Sequence, residues 1–290
     1  MKVVIWGHKL HSHTHSYIHN SYYKAFKHMG FDVSWYDSSD DVSNVDFSNS
    51  IFFTEDQVKD GIPLREDCLY IAHHIDNEFF IENNILQNKV LNLGNYIYEV
   101  EEKGFEKINN CAYYDDKSRT LHQCWATDLL PFEIDLKNPC IFSQDKKNIN
   151  YIGMIWEENI NQVSPFAQAC VHNNKEFLVH KSVSDEQNYK LIRDSFIAPD
   201  IRGTHHLNVG YIPCRVFKNI SYGQVVGTNS RFVKKVFGDY VVFSENTYDL
   251  FFYCSKKFKN SSKNDIIESM KFVKDKHTFV NRVENILGIL

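Results

Sequence analysis

The spacing of apolar residues changes repeatedly along this chain, and each change marks an element. Lys2–Trp6 is a short apolar run that stops at Gly7. Ile18, Tyr22, Ala25, Phe26 and Met29 then recur at helical spacing, which predicts an amphipathic helix over 17–29 ended by Gly30. Phe31–Tyr36 alternates as a strand, and Asp37 follows it. Strand, loop, helix, glycine, strand and acid is how a Rossmann-like unit begins. Further strands are expected at Ser50–Thr54, Cys68–His73 and Lys89–Leu93, with a β-ribbon over 111–126 that turns near Asp115–Ser118.

The stretch 131–149 is polar, holds two prolines and a Lys-Lys pair, and reads as a linker. The pattern then restarts. Strands are expected over 150–155, 176–180, 195–199, 224–227 and 240–244, and helices over 162–173, 185–194 and 213–222. Three helical stretches, 247–258, 263–275 and 277–288, follow. The fold class this predicts is α/β, with two Rossmann-like domains facing each other across a cleft. The domains are 1–130 and 150–290, the latter carrying the closing helices. Ligands of such sheets bind outside the carboxyl ends of the strands.

Composition narrows the function. A chain of 290 residues that is 43% hydrophobic and 24% charged can bury two cores, which excludes wholesale disorder. The net charge of -5 argues against binding nucleic acid by bulk electrostatics, so no nucleic-acid partner is expected. Seven scattered cysteines without a C-x-x-C pair read as reduced thiols. No apolar run approaches the roughly 18 residues that span a bilayer, and no signal-like segment follows Lys2. The expected location is cytoplasmic, with no integral membrane segment. There is no G-x-G-x-x-G or Walker sequence, and the acidic pairs Asp40-Asp41 and Asp115-Asp116 fall in polar loops.

The most informative segment is Gly210–Gly223. Val216, Phe217 and Ile220 form an apolar helix face, while Arg215, Lys218, Asn219 and Tyr222 share the other at i, i+3, i+4 and i+7. Two cations near a helix N-terminus make a cradle for a diphosphate. The plainer reading is a surface helix with solvated cations. Lys181 follows a strand, where it can meet a phosphate or simply face solvent. Asp200 and Arg202 follow Pro199 at a strand end. They can meet the hydroxyls and phosphate of a ligand, or form an ion pair that only braces the loop.

Phe196–Gly203, Gly210–Gly223 and Val225–Ser230 together resemble the donor-binding half of GT-B glycosyltransferases. Cys124–Pro131 and Lys276–Arg282 resemble the end of the first domain and the closing helix of bacterial and viral enzymes of that type. More loosely, Tyr211-Ile-Pro-Cys-Arg215-Val-Phe217 is similar to the donor motif of α1,3-fucosyltransferases, Tyr-Val-Thr-Glu-Lys-hydrophobic-Phe. Arg215 stands in the lysine position and Cys214 in that of the glutamate. The resemblance implies an inverting, metal-independent transferase that moves a sugar from a nucleotide-diphosphate sugar to a glycan hydroxyl. It needs no further cofactor. Tyr211, Arg215, Lys218 and Asn219, with Lys181, Asp200 and Arg202, would hold the donor.

Between Gly7 and Ser16 the chain carries His8, His11, His13 and His15. In several GT-B enzymes the loop after the first strand supplies the general base, and a histidine can take a proton from a sugar hydroxyl near neutral pH. His13 and His15 are the candidates, with Asp37 and Asp76 as partners or replacements. Ser16 reads as the helix cap, and His19 as solvent-exposed. A rival reading takes His11, His13 and His15 as ligands of a metal-dependent phosphoesterase, with His73, His74 and Asp76 adding ligands. A non-catalytic nucleotide- or glycan-binding module is the third reading.

Overall fold

The computed structural model describes residues 2–13, 15–97, 100, 103–140 and 146–290. The chain divides into two compact units, residues 1–130 with 278–290, and residues 131–277.

The first unit opens with β1 (Lys2–Trp6), α1 (Ser16–His28), β2 (Asp32–Tyr36), β3 (Ile51–Glu55) and β4 (Leu69–His73). It continues with α2 (Asn77–Glu82), β5 (Val90–Gly94), β6 (Glu106–Asn109), β7 (Ala112–Asp115) and β8 (Thr120–Gln123). The sheet runs β2-β1-β3-β4-β5-β8-β7-β6, parallel except where the ribbon β6-β7-β8 pairs antiparallel. β3 is buried along its whole length, as suits a central parallel strand covered on both faces. Trp6, Phe52, Tyr70 and Phe80 pack on one side of the sheet. Tyr22 of α1 stacks on Phe53 with ring centres 4.0 Å apart. β6 escapes the sequence pattern because it is an exposed edge strand of polar residues.

The second unit is built from β9 (Asn148–Ile152), α3 (Glu157–His172), β10 (Glu176–His180), α4 (Asp185–Asp194), β11 (Ala198–Asp200) and α5 (Thr204–Val209). There follow α6 (Cys214–Ser221), β12 (Val226–Thr228), α7 (Arg231–Phe237), β13 (Val241–Phe243), α8 (Thr247–Asn260) and α9 (Lys263–Lys276). Its strand pairs are parallel: β9 with β10, and β12 with both β11 and β13. Phe196 N donates to Asn148 O at 2.8 Å, which lays the chain entering β11 beside β9. α3 starts at Glu157 instead of near 162, because Trp156 N donates to Asn159 Oδ1 and caps the helix early. α5 and α7 are short helices that the periodicity does not reveal.

Two boundaries differ from the sequence expectation. The described part of 131–149 belongs to the second unit, while residues 141–145 of that expected linker lie outside the described residues. α10 (Phe279–Leu287), expected to close the second domain, packs in the first unit. The reason is Arg282, which is fully buried and donates from Nε to Cys124 O at 2.8 Å and from Nη2 to Trp125 O at 2.9 Å. Asn285 adds a bond to Gln123 Oε1. Among the described residues no helix is long and apolar enough to cross a membrane.

Candidate functional site

Each unit gathers polar groups beside its parallel strands, and in the first they sit where the strand order reverses. In the first unit β1 lies between β2 and β3, so the chain leaves its carboxyl end toward one neighbour and later returns on the other side. A crevice at such a switch point is where α/β sheets bind ligands. Glu55 ends β3 and His73 ends β4, directly opposite each other in register. His8 follows β1 after Gly7. Here glycine is required, since a Cβ would lie 2.4 Å from the His19 ring.

The loop between β1 and α1 is tied down locally. Ser16 is not a side-chain cap. Its Oγ donates to His13 O at 2.6 Å and accepts from His11 N at 3.1 Å. Lys9 anchors the loop to β2 by donating to Trp35 O at 2.8 Å, and it pairs with Asp40 at 2.7 Å. The result turns His8, His13 and His15 toward Glu55. His15 Nδ1 is hydrogen-bonded to Glu55 Oε2. His8 Nε2 is 3.1 Å from Oε1, and His19 Nε2 is 3.8 Å from it. Burial by itself would raise the Glu55 pKa. The hydrogen bond from His15 and the charges of His15, His19 and His8 outweigh that, so it lies below the ordinary carboxylate value. His15 is about one-third exposed, so its ring can reach a ligand.

Several sequence expectations change here. The carboxylate partner is Glu55, not Asp37 or Asp76. Asp37 accepts from Ser39 N at 2.9 Å and from Ser39 Oγ in the turn after β2, and Asp76 is an exposed residue at the start of α2. His11 stands apart from the cluster, exposed, with positive φ and a 3.3 Å contact from Nδ1 to Tyr17 Oη. His19 is buried, not solvent-exposed, and burial lowers its pKa to about 4. Its place was readable: it lies three residues before Tyr22 and seven before Phe26, on the apolar face. Glu55 also had a signal, as the first charge after the apolar run Ile51–Phe53.

In the second unit a small pocket is lined by Asn150 and Ile152 of β9, Ile192 of α4, and Arg215, Lys218 and Asn219 of α6. α6 runs Cys214–Ser221 with Pro213 as its N-cap residue. Val216, Phe217 and Ile220 are wholly buried. The Arg215 guanidinium crosses the Tyr151 ring at 5.3 Å and lies against Gly153, where a Cβ would come within 2.7 Å of Nη2. Gly153, at φ +150°, leaves the room the guanidinium occupies. Arg215 Nη1 is shielded from solvent and has no hydrogen-bond partner among the described residues. A buried donor without an acceptor is costly, roughly 1–3 kcal/mol and more when charged. Lys218, nearly buried, has its Nζ 3.9 Å from Asp185.

The other expected donor contacts separate from this pocket. Arg202 and Asp200 form a buried ion pair, with Nε donating to Oδ1 at 2.7 Å and Thr228 donating to Oδ2 at 3.1 Å. Arg202 N and O are both bonded to the Asn229 side chain. This is the bracing arrangement. Tyr211 packs against His206 and the Arg202 guanidinium, and Lys181 is exposed outside the lining.

No protein-family model matches the sequence, and comparison with curated proteins finds no match. Among solved structures, an alpha-glucosyltransferase in complex with UDP and a 13-mer DNA containing a central A:G mismatch aligns over 99% of both chains. Its TM-score is 0.59 and its sequence identity 8%. T4 phage beta-glucosyltransferase aligns over 99% of both chains at 10% identity, with a TM-score of 0.49. These findings give no support to the fucosyltransferase-like reading of Tyr211–Phe217. The chain has a mixed α/β, parallel-dominated fold shared along its length with an alpha-glucosyltransferase.

Proposed function

We propose that this protein is a glycosyltransferase that moves a sugar from a nucleotide-diphosphate sugar to an acceptor hydroxyl. The observation that carries the reading is the Arg215 guanidinium, held with an unsatisfied Nη1 in a pocket lined by β9, β11, α4 and α6 of the second unit. An anion is what such a group lacks. Arg215 and Lys218 then offset charge that develops on the leaving diphosphate, a role that a metal fills in other enzymes. Asn219, which lines the same pocket, adds an uncharged polar side chain. Donor departure is therefore metal-independent in this reading.

The first unit supplies the base. Glu55 fixes the ring of His15 through Nδ1 and stabilises the imidazolium formed when Nε2 takes the acceptor proton. Attack opposite the leaving group would invert the anomeric centre. The net charge argued against nucleic acid, but the alpha-glucosyltransferase that shares this fold was solved with DNA. Acceptors to be tried therefore include DNA as well as glycans.

The test is a thermal-shift series with UDP, GDP, dTDP and CMP, because a ligand of the native state alone raises stability by about 2.7 kcal/mol at 100 times its Kd. At least one diphosphate should raise Tm in the wild type and fail to do so in Arg215→Ala. No shift with any nucleotide overturns the assignment.

A further inference from the structure

The first unit holds more imidazoles around one carboxylate than a base needs. His8, His13 and Glu55 each place one ligand-type atom within 4.8 Å of the others, and so do His15, Glu55 and His73. Glu55 serves both groups, and its two oxygens differ. Oε2 is engaged by His15, whereas Oε1 is buried, with His8 Nε2 at 3.1 Å and His19 Nε2 at 3.8 Å but no hydrogen bond formed. Glu55 as a whole is 2% exposed. His73, 3% exposed, also has a buried Nε2 without a hydrogen-bond partner among the described residues.

One carboxylate cannot satisfy this many rings. The rings of His8 and His13 lie 4.2 Å apart, and those of His8 and His19 5.9 Å apart. Protonating several of them together would set like charges against one another in a poorly solvated space. Neutral imidazoles beside a carboxylate are the donor set of zinc and similar transition metals. Calcium and magnesium prefer all-oxygen shells.

We infer that His8, His13 and Glu55 Oε1 form a binding site for one divalent transition metal of the zinc class, with a coordination position left open. Glu55 Oε2 stays on His15 Nδ1, so the same carboxylate serves both neighbours. The Gln57 side chain, 3.3 Å from His8 Nε2, is the contact the metal displaces. This site differs from the His11-x-His13-x-His15 set that the sequence offers. His11 is excluded, and Glu55 and His8 come in from the ends of β3 and β1.

The experiment titrates untagged, EDTA-stripped full-length protein with Co²⁺, whose visible absorption reports the ligand field, followed by displacement with Zn²⁺. One equivalent should bind. His8→Ala and His13→Ala should each weaken it by at least about tenfold, as even the loss of an outer-shell partner costs about 10–100-fold. His11→Ala should leave it unchanged. Circular dichroism checks that each variant is folded, and both ligand rings are partly exposed, so truncation leaves no buried void. Absence of a stoichiometric site overturns the inference, as does a loss in His11→Ala equal to that in His13→Ala. Nucleotide binding is read separately, so a chain that binds UDP but no metal fails this inference alone.

Discussion

The two units both place their candidate sites beside parallel strands and furnish them with different kinds of nitrogen group. The first unit uses imidazoles around Glu55, rings that can both donate and accept a proton. The second uses Arg215, a planar guanidinium that only donates hydrogen bonds. In the first, Glu55 bonds His15 but leaves its own Oε1 and the His73 Nε2 buried without a hydrogen bond among the described residues. In the second, a guanidinium nitrogen is buried and unsatisfied. The contrast teaches that a shared topology selects where a site lies, while the residues at the strand ends select whether it moves protons or holds anions.

Truncating the base should produce the largest effect. His15→Ala should lower kcat by about 10²–10⁴ with nucleotide affinity unchanged, measured by steady-state kinetics and calorimetry. A loss of nucleotide affinity instead would break the division of labour. Second is the acid response of His19, in metal-free protein. Its folded pKa of about 4 lies below the ordinary 6.5, so the unfolded chain binds the extra proton. The stabilisation is therefore complete above about pH 6.5 and is lost as pH falls toward 4, by about 3 kcal/mol. Urea midpoints across that range should fall in the wild type and fall less in His19→Leu. An equal slope in both would place the acid sensitivity elsewhere.

Third, Arg215→Ala should weaken nucleotide binding by about 1.5–3 kcal/mol, roughly tenfold to a hundredfold. Lysine should restore only part, since it lacks the planar fork. The variant should melt no lower than the wild type, because it removes an unsatisfied donor. A large drop in Tm with unchanged affinity would make Arg215 a structural brace like Arg202. The smallest effect is expected for Asp37→Asn, which keeps the turn at Ser39 and should change activity and stability by less than about 0.5 kcal/mol. A kcat loss comparable with that of His15→Ala would return Asp37 to the site.

Much of this architecture was legible from local pattern. The parallel strands of the first unit fall within a residue or two of their expected ends, because each is a short apolar run bounded by turn residues. α6 was equally plain, since its buried and polar faces separate at helical spacing, and that placed Arg215, Lys218 and Asn219 together. β6, α5 and α7 were hidden because short or edge elements have too few buried positions to set a period.

What sequence alone determined, then, was the α/β alternation, the amphipathic helix with its cations, and the presence of a histidine-rich loop after β1. Tertiary structure decided which of those histidines act together. His11 and His13 are two residues apart and end in different surroundings, whereas His8 and His73, distant from Glu55 in sequence, each come within ligand distance of it. It likewise decided that Asp200 and Arg202 satisfy each other and that α10 belongs to the first unit through Arg282. The physical reason is the same throughout. Periodicity records which face of an element is buried, but pairing between strands and the need to satisfy buried charge are settled only when distant segments pack.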